Sequence, residues 1–73
     1  PSQCTHSTVV FNAGVATCAG GSGSYRVVIG CKNPFGWWAN RYGNWYTVRQ
    51  GTVSRATCPA GYIIQWSGFN ARD

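Results

Sequence analysis

Polar and apolar residues alternate along this chain with a period of two rather than 3.6. The clearest stretch is Tyr25-Arg26-Val27-Val28-Ile29-Gly30-Cys31-Lys32. Successive side chains of a strand point to opposite faces, so Tyr25, Val27, Ile29 and Cys31 share one face and Arg26 and Lys32 the other. The pattern predicts that the first set enters the core, with Cys31 aimed inward, and that the basic pair meets water. Further strands are predicted over residues 8–12, 37–42, 45–50, 52–58 and 62–66. All are rich in the β-branched and aromatic residues that suit a pleated surface.

Between these segments stand strong breakers. Ala19-Gly20-Gly21-Ser22-Gly23-Ser24 reads as a flexible loop, and Asn33-Pro34-Phe35-Gly36 and Cys58-Pro59-Ala60-Gly61 read as turns. Gly43-Asn44 is a candidate two-residue hairpin turn, and Gln50-Gly51 a turn or bulge. No segment shows a helical period. The expectation is an all-β fold: one domain over residues 1–73, built as a small antiparallel β-sandwich or barrel of five to six strands.

A chain of 73 residues buries too little surface to hold such a fold comfortably by the hydrophobic effect alone. The missing constraint is visible as Cys4, Cys18, Cys31 and Cys58. Structural zinc sites usually bring cysteines in close pairs, and no close pair exists here, so disulfides and an oxidising compartment are expected. Of the three possible pairings, Cys4–Cys18 with Cys31–Cys58 is favoured. Each then closes a moderate loop worth about 3 kcal/mol or somewhat more. No apolar run is long enough to span a bilayer, and the chain reads as the mature form of a secreted, extracellular protein.

Charge adds a second constraint. Arg26, Lys32, Arg41, Arg49, Arg55 and Arg72 face one acid, Asp73, for a net charge of +5. Such a surface attracts anionic partners. The same composition disfavours catalysis. Glycoside hydrolysis needs two carboxylates, and metal catalysis needs three protein ligands. One histidine, His6, and one carboxylate provide neither. The chain is expected to be no enzyme and to carry no cofactor or metal.

Six aromatic residues crowd the twelve positions Phe35-Gly-Trp37-Trp38-Ala-Asn40-Arg41-Tyr42-Gly-Asn-Trp45-Tyr46. On a strand, Trp37, Ala39 and Arg41 face one way, and Trp38, Asn40 and Tyr42 the other. Trp45 and Tyr46 split between faces. A thin core takes only one face, so the remaining rings are expected at the surface beside Asn40 or Arg41. Flat exposed rings next to Asn and Arg suit sugars, unstacked bases and protein hot spots.

Two resemblances bear on this reading. The run from Tyr25-Arg26-Val27 to Cys31, then Arg41-Tyr42-Gly43-Asn44-Trp45, then Ser54 to Cys58-Pro59-Ala60-Gly61-Tyr62 resembles small secreted disulfide proteins of actinobacteria, of the Streptomyces type. It covers about half the chain and implies no particular activity. In length, strand content and sequential cysteine pairing the chain is also similar to the tendamistat type of α-amylase inhibitor, which implies a two-disulfide sandwich. The functional Trp-Arg-Tyr triplet of those inhibitors lies between their first two cysteines. Here Thr5 to Thr17 contains no Trp, Arg or Tyr, so no inhibitory residue carries across.

The expected function is a monomeric antimicrobial or antifungal binding protein. It would recognise microbial cell-envelope components, glycans foremost, through Trp37, Trp38, Asn40, Arg41, Tyr42, Trp45 and Tyr46. The alternative is an inhibitor of a secreted hydrolase, an amylase or protease, with the aromatic–arginine hairpin entering the cleft. Nucleic acid ranks behind both, because disulfides place the protein where nucleic acid is scarce.

Overall fold

The computed structural model describes every residue from Pro1 to Asp73 and contains strands but no helix. In chain order these are β1 (Ser2–Val9), β2 (Ala13–Gly20), β3 (Ser24–Lys32), β4 (Trp38–Tyr42), β5 (Tyr46–Thr47), β6 (Ser54–Thr57) and β7 (Ile63–Arg72). They form two antiparallel sheets, a sandwich. The first has the order β1-β2-β6. In the second, β3 is central, with β7 on one edge and both β4 and β5 on the other.

The strand β3 is the spine, and the alternation read from its sequence is the one it adopts. Tyr25, Val27, Ile29 and Cys31 are fully buried, while Lys32 is exposed and Arg26 half-exposed. Opposite them the first sheet offers only small side chains: Ala16, Cys18, Ser54 and Ala56. That smallness lets the sheets come very close. A Cβ on Gly14 of β2 would sit 2.3 Å from the Ile29 Cγ2, so nothing larger than glycine fits there without displacing the spine.

Both expected disulfides form. Cys4–Cys18 joins directly paired residues of β1 and β2. Cys31–Cys58 joins β3 to the end of β6 and so ties one sheet to the other. One polar side chain is wholly buried, that of Ser54. Its Oγ accepts the Val27 N–H at 3.0 Å and donates to the Asn44 carbonyl at 2.9 Å, a second bond between the sheets.

Several boundaries differ from those predicted. Seven strands form where five to six were expected, because residues 13–20, outside every predicted segment, form β2. Gly43-Asn44 makes no hairpin turn: β4 and β5 both pair with β3 along a single edge, and the Gly43 N–H donates to the Val27 carbonyl between them. The predicted strand at 45–50 stops at Thr47, because Gln50 folds back and its Oε1 accepts the Thr47 N–H and hydroxyl, closing a turn. The predicted strand at 8–12 ends at Val9, and positive φ at Phe11 and Asn12 makes a tight β1–β2 turn there. Residues 19 and 20 belong to β2, which leaves 21–23 as a short turn instead of a long loop.

Candidate functional site

Register fixes which side chains share the outer face of the second sheet, since paired residues in an antiparallel ladder lie on the same side. Opposite Lys32 stand Trp38 on β4 and Ile63 on β7; opposite Gly30, Asn40 and Trp66; opposite Val28, Tyr42 and Gly68; opposite Arg26, Asn70. A bulge between Gly30 and Cys31 leaves Gln65 unpaired. Without it Ile64 and Trp66, two apart, would share a face. With it Ile64 packs against the core while Trp66 turns outward. The Trp66 indole lies directly over Gly30, where an added Cβ would meet its Nε1 at 2.1 Å.

Cations thread between the rings of this face. The Arg26 guanidinium sits 4.3 Å from the Tyr42 ring centroid and 4.8 Å from that of Trp45. Arg72 lies 4.0 Å from the same Trp45 ring, and the Lys32 ammonium lies 5.5 Å from Trp38. Each such contact contributes about 0.5–1 kcal/mol at an exposed site. Arg26 is aimed further by its Nε, which donates to the Asn70 Oδ1 at 3.2 Å. Trp45 therefore holds two guanidinium groups on one ring. The chain's one acid, Asp73, follows the last residue of β7, and Arg26, Arg72 and Lys32 make no ion pair across the face.

The seven residues selected from the sequence divide into two groups. Trp38, Asn40, Tyr42 and Trp45 come together on this outer face. Arg41 pairs with Ile29 and so lies on the opposite side of β4, where its Nη1 donates to the Asn40 carbonyl. Tyr46 pairs with Tyr25, also on the inner side, and is half-buried. Trp37 belongs to the turn before β4 and is exposed. The cations of the face come instead from β3 and β7: Arg26, Lys32 and Arg72. The first two were legible as the outward set of the β3 alternation; Arg72 and Trp66 had no sequence signal, because β7's length and bulge place them.

Elsewhere the main recess, of about 200 Å³, lies among Thr5, His6, Ser7, Val15, Ala16, Thr17 and Val53. At its edge the His6 Nδ1 shares a 2.9 Å hydrogen bond with the Ser67 hydroxyl. The acid that would orient such an imidazole for catalysis is remote, since Asp73 lies six residues beyond Ser67, about 20 Å along an extended strand. No three His, Cys, Asp or Glu side chains gather as a metal site. No family model, curated protein or solved structure matches the chain.

Proposed function

We propose that the protein is a non-enzymatic binding module for acidic glycan polymers of the microbial cell envelope, working outside the cell through the outer face of β3, β4 and β7. The observation that carries this reading is the pair of guanidiniums, Arg26 and Arg72, held on Trp45 with neither in an ion pair. Two like charges fixed on one ring repel each other, and an external anion between them relieves that repulsion. Trp38, exposed by 55%, and Trp66, exposed by 41%, offer ring surface on which sugar C–H faces can stack. Asn40 and Asn70 add amide groups on the same face that can hydrogen-bond sugar hydroxyls. A flat face on paired strands suits a polymer, and its rigidity limits the entropy lost on binding. The two disulfides fit an oxidising compartment, which supports export.

Depletion of the protein by insoluble polymers tests this. Peptidoglycan bearing anionic wall polymers should retain it better than chitin or cellulose. The double variant Arg26→Gln, Arg72→Gln should bind at least tenfold more weakly, as expected when charge-assisted contacts of about 1.5–3 kcal/mol are lost. Undiminished retention of that variant would remove the site from this face. If no polymer retains the protein, the hydrolase-inhibitor reading takes its place, and inhibition of secreted amylases and proteases becomes the assay.

A further inference from the structure

The molecule is polarised along its length, and the end opposite Asp73 has a composition of its own. Its principal extents are 41 × 20 × 16 Å, and a ten-residue strand such as β7 fits only along the longest of them. Three loops close one end. The β1–β2 turn, residues 10–12, reaches it because the Asn12 carbonyl accepts the Cys58 N–H and the Asn12 side chain accepts the Ile64 N–H. The turn of residues 33–37 follows β3 directly, and the turn of residues 59–62 precedes β7. Cys31–Cys58 lies just beneath all three.

None of these loop positions carries a charge. At the same end Val10, Phe11, Phe35, Trp37 and Ile63 are between 56% and 86% exposed. They account for half of the large hydrophobic side chains that the whole molecule leaves in water. The turns presenting them are built, not slack. The Asn33 Oδ1 accepts both the Phe35 and Trp37 N–H groups, at 3.0 and 2.9 Å, which holds the two rings outward. Phe11 is kept at a φ of 64°, a left-handed conformation that bulky side chains rarely adopt. The charged residue at the border is Lys32, paired with Ile63 and stacked near Trp38. Arg49, Arg72 and Asp73 belong to the other end, where the Val48 N–H reaches Gly23 and Arg72 pairs with Ser24.

We infer that this end seats in the interface of an anionic lipid bilayer, with Phe11, Phe35 and Trp37 reaching the headgroup–acyl boundary and Lys32 meeting lipid phosphate. Aromatic side chains favour that depth, and a lysine beside them with no carboxylate at that end is drawn to anionic headgroups. A second copy of the chain is the competing occupant, and area argues against it. A cross-section of 20 × 16 Å offers roughly 300–500 Å² per partner once side chains are added, below the ~800 Å² of a stable interface. The surface borders the glycan-binding face at Lys32 and Ile63, but Phe11, Phe35 and Trp37 lie in loops outside that face, so substitutions there test this inference by itself.

Co-sedimentation of the whole protein with phosphatidylcholine vesicles, with and without phosphatidylglycerol, tests the inference. Binding should require phosphatidylglycerol, survive in part at high salt, and fall at least tenfold in the variant Phe11→Asn, Phe35→Ser, since a ring moved into water loses about that much in partitioning. Asn tolerates the φ of residue 11, so the melting temperature should hold; if it falls, Val10→Ser with Trp37→Ser repeats the test. Bromine-labelled acyl chains should quench tryptophan emission in the wild type and not in Trp37→Ser. Three results would overturn the inference. The first is no binding to any vesicle. The second is binding that salt abolishes and the variants leave intact. The third is dimerisation without lipid that the same variants remove.

Discussion

Removal of one oxygen, that of Ser54, should cost this protein a large share of its stability. The hydroxyl is fully buried and bridges the Val27 N–H to the Asn44 carbonyl. In Ser54→Ala the Asn44 carbonyl can recover a water, because that residue is exposed. Val27 has no such recourse: it is completely buried on the central strand, and the space vacated by one oxygen is at or below the size that admits a water. An orphaned buried N–H costs about 1–3 kcal/mol, and the loss of the bridge itself adds to it. We expect about 2–3 kcal/mol in all, out of the roughly 4–11 kcal/mol typical of a domain this size. That corresponds to a fall in Tm of roughly 10–20 °C. The assay is thermal or guanidinium unfolding with the disulfides intact, monitored by tryptophan fluorescence. The same variant frees the β4–β5 junction that seats Trp45, so native emission should shift to the red. A Tm loss under about 4 °C, with unchanged emission, would show that neither the bridge nor the seat depends on Ser54.

The two disulfides should differ in weight. Loop entropy gives about 3 kcal/mol for the 14-residue separation of Cys4–Cys18 and about 3.6 kcal/mol for the 27 of Cys31–Cys58. Only the second joins the sheets, so Cys31→Ala with Cys58→Ala should lower the guanidinium midpoint more than Cys4→Ala with Cys18→Ala; the reverse order would refute the inter-sheet role. Gly30→Val should expel the Trp66 indole from the outer face, because the new Cβ occupies its Nε1 position. With fluorotryptophan incorporated, one of the four fluorine resonances should move strongly, and glycan retention should weaken; four unshifted resonances would contradict the packing of Trp66 over Gly30.

Much of this molecule was legible in its sequence. The alternation of residues 25–32 determined the spine, its buried set and its outward cations, because strand geometry leaves no other assignment of faces. Cysteine spacing favoured the pairing that forms, by closing two moderate loops, and the structure selects it among the three possible: Cys4 and Cys18 pair across neighbouring strands, while Cys31 and Cys58 face each other between the sheets. The 38–42 alternation likewise placed Trp38, Asn40 and Tyr42 together, opposite Arg41.

Tertiary structure decided the rest. The strand β2 turns Gly14, Ala16 and Cys18 inward, a weak signal by itself, and Gly14 carries no side chain because Ile29 lies where its Cβ would go. Gly43-Asn44 looks like a hairpin turn in isolation; it serves instead as a junction because Ser54 and Val27 capture the backbone on either side of it. Arg72 and Trp66 join the aromatic face only through the bulge at Gln65 and the long pairing of β7 with β3. The uncharged end is assembled from three loops that are remote in sequence and meet around Cys31–Cys58. Local pattern settles which way a side chain points along its own strand. Which strands lie beside it, and what their side chains bring to a shared surface, depends on contacts between segments far apart in the chain.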